Sequence, residues 1–275
     1  MAGLIKADLY RTVKDKMFMI LLIIAAGLSV VTIGLYAVLI NTLSGLSEGV
    51  DARDTLTAST LALTGLSPYQ NYGLIVAIFL CIIFGKDFMQ GTARNKLIMG
   101  KTRTEVYFSN VIVSAFVMIS VILVYAALNF ALGCIVFNSG LKTGFLPMLK
   151  GIGLSLIGWI VLSITISFLS VAMPNVGLSI VIYVISGLAL SFGGQILNAV
   201  LAINGNGAVE FINNINIPYV MTYVLTGQFT YALMGQESFA AMGTVFYLEY
   251  IFSCVFFAGV FLFFGWLIFQ RKDLK

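Results

Sequence analysis

Six apolar runs, separated by short polar breaks, set the pattern of the chain: 17–40, 68–85, 109–137, 151–173, 176–203 and 245–269. A helix rises about 1.5 Å per residue and the hydrocarbon layer is about 30 Å thick, so runs of this length predict membrane-spanning helices. A β-barrel would show segments of about ten alternating residues instead. The second run is the shortest, because its strictly apolar part, GLIVAIFLCIIF, needs the neighbouring YQNY to reach across. Between the fourth and fifth runs, Met173, Pro174 and Asn175 leave room only for a tight turn. Those two helices are therefore predicted to form an antiparallel hairpin.

The breaks carry patterns of their own. In LIKADLYRTVKDKMF, residues 4–18, Ile5, Leu9, Val13 and Met17 recur at steps of four, with Lys6, Arg11, Lys14 and Asp15 on other faces. This predicts an amphipathic helix over about 1–16, lying at the membrane interface ahead of the first span. The segment 204–244 contains INIPYVMTYVLTGQFTYALMG, too polar for a full span and too apolar for a free loop. Short interfacial or re-entrant helices covered by protein fit it best. No repeat divides the chain, so 1–275 reads as a single membrane domain.

Composition sharpens this picture. The chain is 60% hydrophobic and only 9% charged, with a mean hydropathy of +1.04, far more apolar surface than a soluble globule of 275 residues buries. Its Lys and Arg residues also give it a direction. With both termini inside, the inner segments hold Lys6, Arg11, Lys14, Lys16, Lys86, Arg94, Lys96, Lys101, Arg103, Arg271, Lys272 and Lys275, whereas the outer ones hold only Arg53, Lys142 and Lys150. Short loops rich in such residues stay cytoplasmic, so the expected topology is N-in and C-in.

Several chemistries drop out. The chain has no histidine, which removes zinc-binding helix motifs, Ser-His and Cys-His pairs and histidine proton relays. Cys81, Cys134 and Cys254 all lie in apolar runs and read as small buried hydrophobes, neither a disulfide framework nor a metal centre. No run has a charge near its middle, where ion-coupled carriers place one. No acidic pair lies within the spans, and no catalytic residue is expected. The polar candidates for a pathway are Ser179, Tyr183 and Ser186, which share a helix face, together with Gln195, Asn198 and, near the outer end of the last run, Glu249. The competing reading is that the hydroxyls bond their own backbone or join neighbouring helices.

One loop stands apart. DFMQGTARNKLIMGKTRTEVYFSN, residues 87–110, carries four of the basic residues named above, with Lys86 just before it. Its Gly100-Lys101-Thr102 looks like the end of a phosphate-binding loop, but Asn95 stands where GxxxxGK[ST] needs its first glycine, so no ATP site is expected on this chain. The loop instead resembles the cytoplasmic loop between spans two and three in permease subunits of the type-two ATP-binding-cassette exporter family. An acidic residue, a Gly-Thr pair, Arg-Asn, Gly-Lys-Thr-Arg and an aromatic recur there, here at Asp87, Gly91, Thr92, Arg94, Asn95, Gly100, Lys101, Thr102, Arg103 and Tyr107.

The resemblance implies an all-α polytopic permease of six spans, with a coupling helix in 86–105 that docks into a separate cytoplasmic ATPase. ATP and Mg would be held by that partner and not by this chain. The expected contacts are Asp87, Phe88, Gly91, Thr92, Arg94, Asn95, Lys96, Leu97, Gly100, Lys101 and Arg103, with Phe88 and Leu97 as apolar anchors and the basic groups pairing with acids. It further implies a second permease copy or sister subunit, a bacterial plasma membrane and its lipids, and no nucleic acid. The cargo would be amphipathic or hydrophobic, most simply an antimicrobial or toxin-like peptide. Export of a lipid, glycan or drug, extraction from the membrane, and a non-transporting scaffold or sensor that recruits an ATPase stay open.

Overall fold

The structure is a computed structural model that describes residues 1–44, 58–64, 66, 72–89, 91–137, 145–217, 220 and 244–272. The side chains of some helix-end residues, Phe88 among them, fall outside that description. Among the described residues the chain is all helix. Two helices start it, α1 (Ala2–Lys14) and α2 (Lys16–Ser44), and α3 (Ala58–Thr64), α4 (Tyr72–Met89), α5 (Thr92–Ile98) and α6 (Arg103–Phe137) follow. The second half holds α7 (Phe145–Ala172), α8 (Val176–Asn204), α9 (Gly207–Asn214) and α10 (Thr244–Arg271).

Among the described residues, α2, α6, α7, α8 and α10 are each long and apolar enough to cross a membrane, so the protein is multi-pass. The expected second span is occupied by α4, which passes that test only together with α5, across a bend of 44°. Its shortness has a physical reason. α4 lies inside the bundle, in contact with α2, α6, α7 and α8, and Val76, Ala77, Leu80 and Cys81 are fully buried. A helix covered by protein need not match the thickness of lipid.

The hairpin expected at Met173–Asn175 is present as the turn between α7 and α8. Most of the intramembrane hydroxyls bond backbone, as when Ser29 donates to the Ala25 carbonyl, Ser120 to Phe116, Ser170 to Ile166 and Ser253 to Tyr250, whereas Ser155 and Ser191 are buried without a partner among the described residues. Ser114 and Ser167 also meet across the α6–α7 contact at 2.8 Å. Cys81, Cys134 and Cys254 are free thiols.

Two local features depart from the sequence pattern. The break between α1 and α2 falls at Asp15, whose carboxylate accepts from the Met17 N–H at 3.0 Å and so caps the start of α2. The buried side of α1 is Leu4, Asp8 and Thr12, with Leu9 half-buried against the core and Val13 exposed. The second departure is α3, a short helix not anticipated in the first outer segment, whose Ala58, Leu61, Ala62 and Leu63 are buried where α3 meets α6 and α7. Just beyond it, the Leu66 carbonyl accepts from the buried Trp159 indole at 2.8 Å.

At the far end of α8 the chain reverses at Gly205, whose φ of 57° is left-handed. α9 then runs back along α8, and Asn216 Nδ2 reaches the carbonyl of Leu190 at 2.8 Å. Leu190 lies roughly 20 Å from the end of α8 at 1.5 Å per residue, and Ile217 and Val220 beyond it are buried. The chain from 205 to 220 thus turns back along α8, within the 204–244 segment expected to hold short interfacial or re-entrant helices. Residues 221–243, and the rest of that expectation, lie outside the described residues.

Candidate functional site

The charged loop forms a compact arrangement at the bundle end shared by α1, α5, the start of α6, the α7–α8 turn and the end of α10. α5 is framed by glycines in left-handed conformations, Gly91 (φ 70°) and Gly100 (φ 84°). At its far end Gly100 N–H donates to Leu97 at 2.9 Å and Lys101 N–H to Lys96 at 3.2 Å, the paired bonds of a Schellman termination. Thr92 Oγ1 donates to the Asp87 carbonyl at 2.7 Å and closes the bend from α4. Thr102 and Glu105 form a reciprocal capping box at the start of α6: Glu105 N–H donates to Thr102 Oγ1, and Thr102 N–H to Glu105 Oε2, each at 3.2 Å. The resemblance to a nucleotide loop at Gly100-Lys101-Thr102 therefore has a local cause: one helix ends there and the next begins.

Beneath α5 lies a charge cluster, buried at Lys96 and Asp8 and open at Arg11, that ties it to α1. Lys96 Nζ is 2.8 Å from Asp8 Oδ1 and 3.9 Å from Asp87 Oδ2, and the Lys96 and Asp8 side chains are each only 7% exposed. Ser109 Oγ donates to the second oxygen of Asp8 at 2.7 Å, and Arg11 contacts Asp87. Two acids and two bases thus neutralise one another. Lys96 Nζ makes no hydrogen bond of good angle despite its short contact with Asp8, so charge rather than directed bonding holds it. An apolar layer of Leu4, Ala93, Val106, Tyr107 and Phe269 completes the seat, with Leu97 packed on it.

The last helix is locked to the same end. Arg103 Nη1 donates to the carbonyls of Phe269, Gln270 and Lys272 at 3.1, 2.9 and 2.8 Å, meeting acceptors that a helix terminus leaves free. Lys272 Nζ in turn donates to the carbonyls of Val171 and Met173 at the end of α7, and partial burial holds its ammonium below the ordinary lysine pKa. Tyr107 sits against Gly265, where an added Cβ would lie 2.2 Å from the phenol oxygen.

The residues of the expected contact set take different positions here. Lys96 is buried and paired within the chain, Asp87 is paired with Arg11 and Lys96, and Arg103 caps α10. Leu97 faces inward, while Gly91, Thr92 and Gly100 shape the backbone. Phe88 lies outside the described side chains. Arg94 and Asn95 are exposed and Lys101 is half-buried. Beside them stand two residues that sequence reasoning passed over, Ile98 and Met99, each 72% exposed. The signal was in the spacing: Arg94 with Ile98, and Asn95 with Met99, are four apart, on the side away from Ala93 and Lys96.

Of the pathway candidates, only Asn198 and Glu249 come near one another. Ser179 is buried and donates to Leu169 at 3.1 Å within the α7–α8 hairpin, and Tyr183 is buried in the core. Ser186 bonds the Tyr183 carbonyl, and Gln195 and Asn198 are on the exposed side of α8. Glu249 accepts from Asn214 Nδ2 at 2.6 Å and lines a hollow that adjoins the one lined by Asn198. The spacing of 179, 183 and 186 on one face is real, but that face runs from protein interior to bundle surface.

Residues 50–275 match the family described as "Protein of unknown function (DUF2705)". The chain belongs to that family. The DUF2705 match includes all of α5 and the α6 and α10 contacts that hold it, whereas Asp8 and Arg11 precede it. No curated protein and no solved structure matches this DUF2705 chain.

Proposed function

We propose that this protein is the membrane-spanning subunit of an ATP-driven exporter, with α5 as the helix on which a separate cytoplasmic ATPase pushes. The observation that carries the reading is the tip of α5. It presents Arg94, Asn95, Ile98 and Met99 outward, while its opposite side is fastened to α1, α4 and α6. An exposed apolar pair beside a cation is a docking surface, and a helix fixed on its other side moves its neighbours when pushed.

In this reading the α1–α5 end faces the bacterial cytoplasm and α4 with its bent continuation is the second of six spans. ATP and Mg belong to the partner, and a second permease copy or sister subunit completes the pathway. The lipid-facing side of α8 supports a partner there, since Gln195 is exposed among Ile185, Leu188, Phe192 and Ile196 and an amide facing lipid gains by finding one. The cargo is amphipathic or hydrophobic.

The test is co-purification of the tagged full chain in mild detergent, comparing wild type with Arg94→Glu and Ile98→Asp. A cytoplasmic ATPase should accompany the wild type and be lost from both variants, while their elution profile stays that of the wild type. An ATPase retained by both variants, or none with the wild type across several detergents, overturns the proposal.

A further inference from the structure

At the end of the bundle remote from α5, α9 bridges α8 and α10, and two adjoining hollows open beside it. One, of about 500 Å³, is lined by Asn198, Leu201, Glu210, Asn213, Asn214 and Phe246 among others. The second, of about 410 Å³, shares Glu210, Asn214 and Phe246 and adds Phe211, Val245 and Glu249. Their sizes suit a small organic molecule or a large side chain rather than a bare ion.

The polar groups of this cleft have one sign. Among the described residues, Glu210 and Glu249 are the only ionisable groups that line it, and no cation pairs with either. Glu249 holds the Asn214 amide through one oxygen, which leaves its second for another donor. Glu210 is exposed in the first turn of α9, where Asn206 already caps the helix by accepting from Ala208 N–H at 3.0 Å. A further, independent sign is Asn213. Its side chain is 5% exposed, it lines the cleft, and its Oδ1 has no hydrogen-bond partner. A buried acceptor left unmet costs about 1–3 kcal/mol, so a donor is called for there. The spacing of Glu210, Asn213 and Asn214 puts all three on one side of α9. Apart from Asn198, the remaining side chains of the wall are apolar, Leu201, Ala202, Val220, Val245 and Phe246 among them.

We propose that this cleft binds a cation borne on an apolar body, an ammonium, guanidinium or phosphonium attached to hydrophobic groups. Glu210 and Glu249 supply the charge, the Asn213 carbonyl accepts from an N–H where the ligand has one, and Phe246 with its aliphatic neighbours covers the apolar part. A divalent metal is less suited, because no group of three acidic, histidine or cysteine ligands occurs among the described residues. That such a cation is the cargo rests on the exporter reading; that it binds here does not.

Binding is measured on the full chain in lipid nanodiscs with tetraphenylphosphonium and dodecylguanidinium as probes, tetraphenylborate as the equal-shaped anion, and empty nanodiscs subtracted. Both cations should bind saturably and the anion should not. Glu210→Gln with Glu249→Gln should weaken both by roughly ten- to a hundredfold. Asn213→Leu should raise the melting temperature, by removing an unmet acceptor, yet weaken dodecylguanidinium; a purely structural asparagine would give the first effect without the second. Unchanged binding in the double glutamine variant, equal binding of the anion, or Ca²⁺ binding lost in that variant with no saturable organic cation overturns the proposal. No ATPase or nucleotide enters the measurement, so the cleft and the exporter reading fail separately.

Discussion

Removal of Asp8 is the sharpest perturbation available at the charged end. In Asp8→Ala, the Lys96 ammonium, 7% exposed, keeps only Asp87 at 3.9 Å, and Ser109 loses its carboxylate acceptor. Breaking a buried ion pair from one side costs about 3–5 kcal/mol. The cost should fall on α1, which packs chiefly on α2 and α6 and has few contacts with which to resist opening. At one decade per 1.4 kcal/mol, amide exchange over α1 should accelerate by about two to three and a half decades. Mass-spectrometric hydrogen exchange on the full chain in nanodiscs reads this directly, with α7 as internal reference. The double variant Asp8→Ala, Lys96→Met removes both charges and should recover most of the loss, the more so because Lys96 has no well-angled hydrogen bond to lose. An Asp8→Ala change indistinguishable from exposed Lys6→Ala, or a double variant as mobile as the single one, refutes the pairing as the clamp on α1.

Three further outcomes follow from neighbouring contacts. Gly265→Ala drives a methyl group into Tyr107, 2.2 Å from its oxygen, and should lower the melting temperature by the equivalent of about 1–3 kcal/mol; Gly265→Ala with Tyr107→Phe should restore part of it. Gly100→Ala, at a φ of 84°, should cost about 1–2 kcal/mol and fray the end of α5 in hydrogen exchange, whereas Gly100→Asn should be milder. Arg103→Gln should free the carbonyls of Phe269, Gln270 and Lys272, seen as faster exchange at the end of α10 and worth about 1.5–3 kcal/mol. The core of α7 should be unaffected.

The membrane helices were legible because each apolar run has a single physical meaning in lipid: its backbone must bond internally over about 20 residues. Charge, by contrast, was legible only in its location. Five basic residues in one loop say which side of the membrane they prefer, but not which of them point outward. Lys96 turned inward because Asp8, on a helix far earlier in the chain, offers a buried counter-charge. The same pairing rotates α1 by one residue from its apolar stripe, putting Leu4, Asp8 and Thr12 against protein and leaving Val13 exposed. α3 escaped notice because ASTLALT has neither the length nor the periodicity of a span, and only packing against α6 and α7 fixes it. Ile98 and Met99 were hidden among apolar neighbours until the termination at Gly100 fixed which side of α5 faces out.

The clamp on α1 also sets an order of events during synthesis. Asp8 and Ser109 are separated by 101 positions, which a ribosome covers in roughly 5–20 s at about 5–20 residues per second. For that interval the first span can already be inserted while α1 has no counter-charge to settle on. Asp8 then stays hydrated at the surface, and the end of the bundle closes only after the loop with Lys96 and the start of α6 have emerged. The N-terminal segment, though made first, is thus among the last to dock, and its seating reports that α6 has begun in the right place.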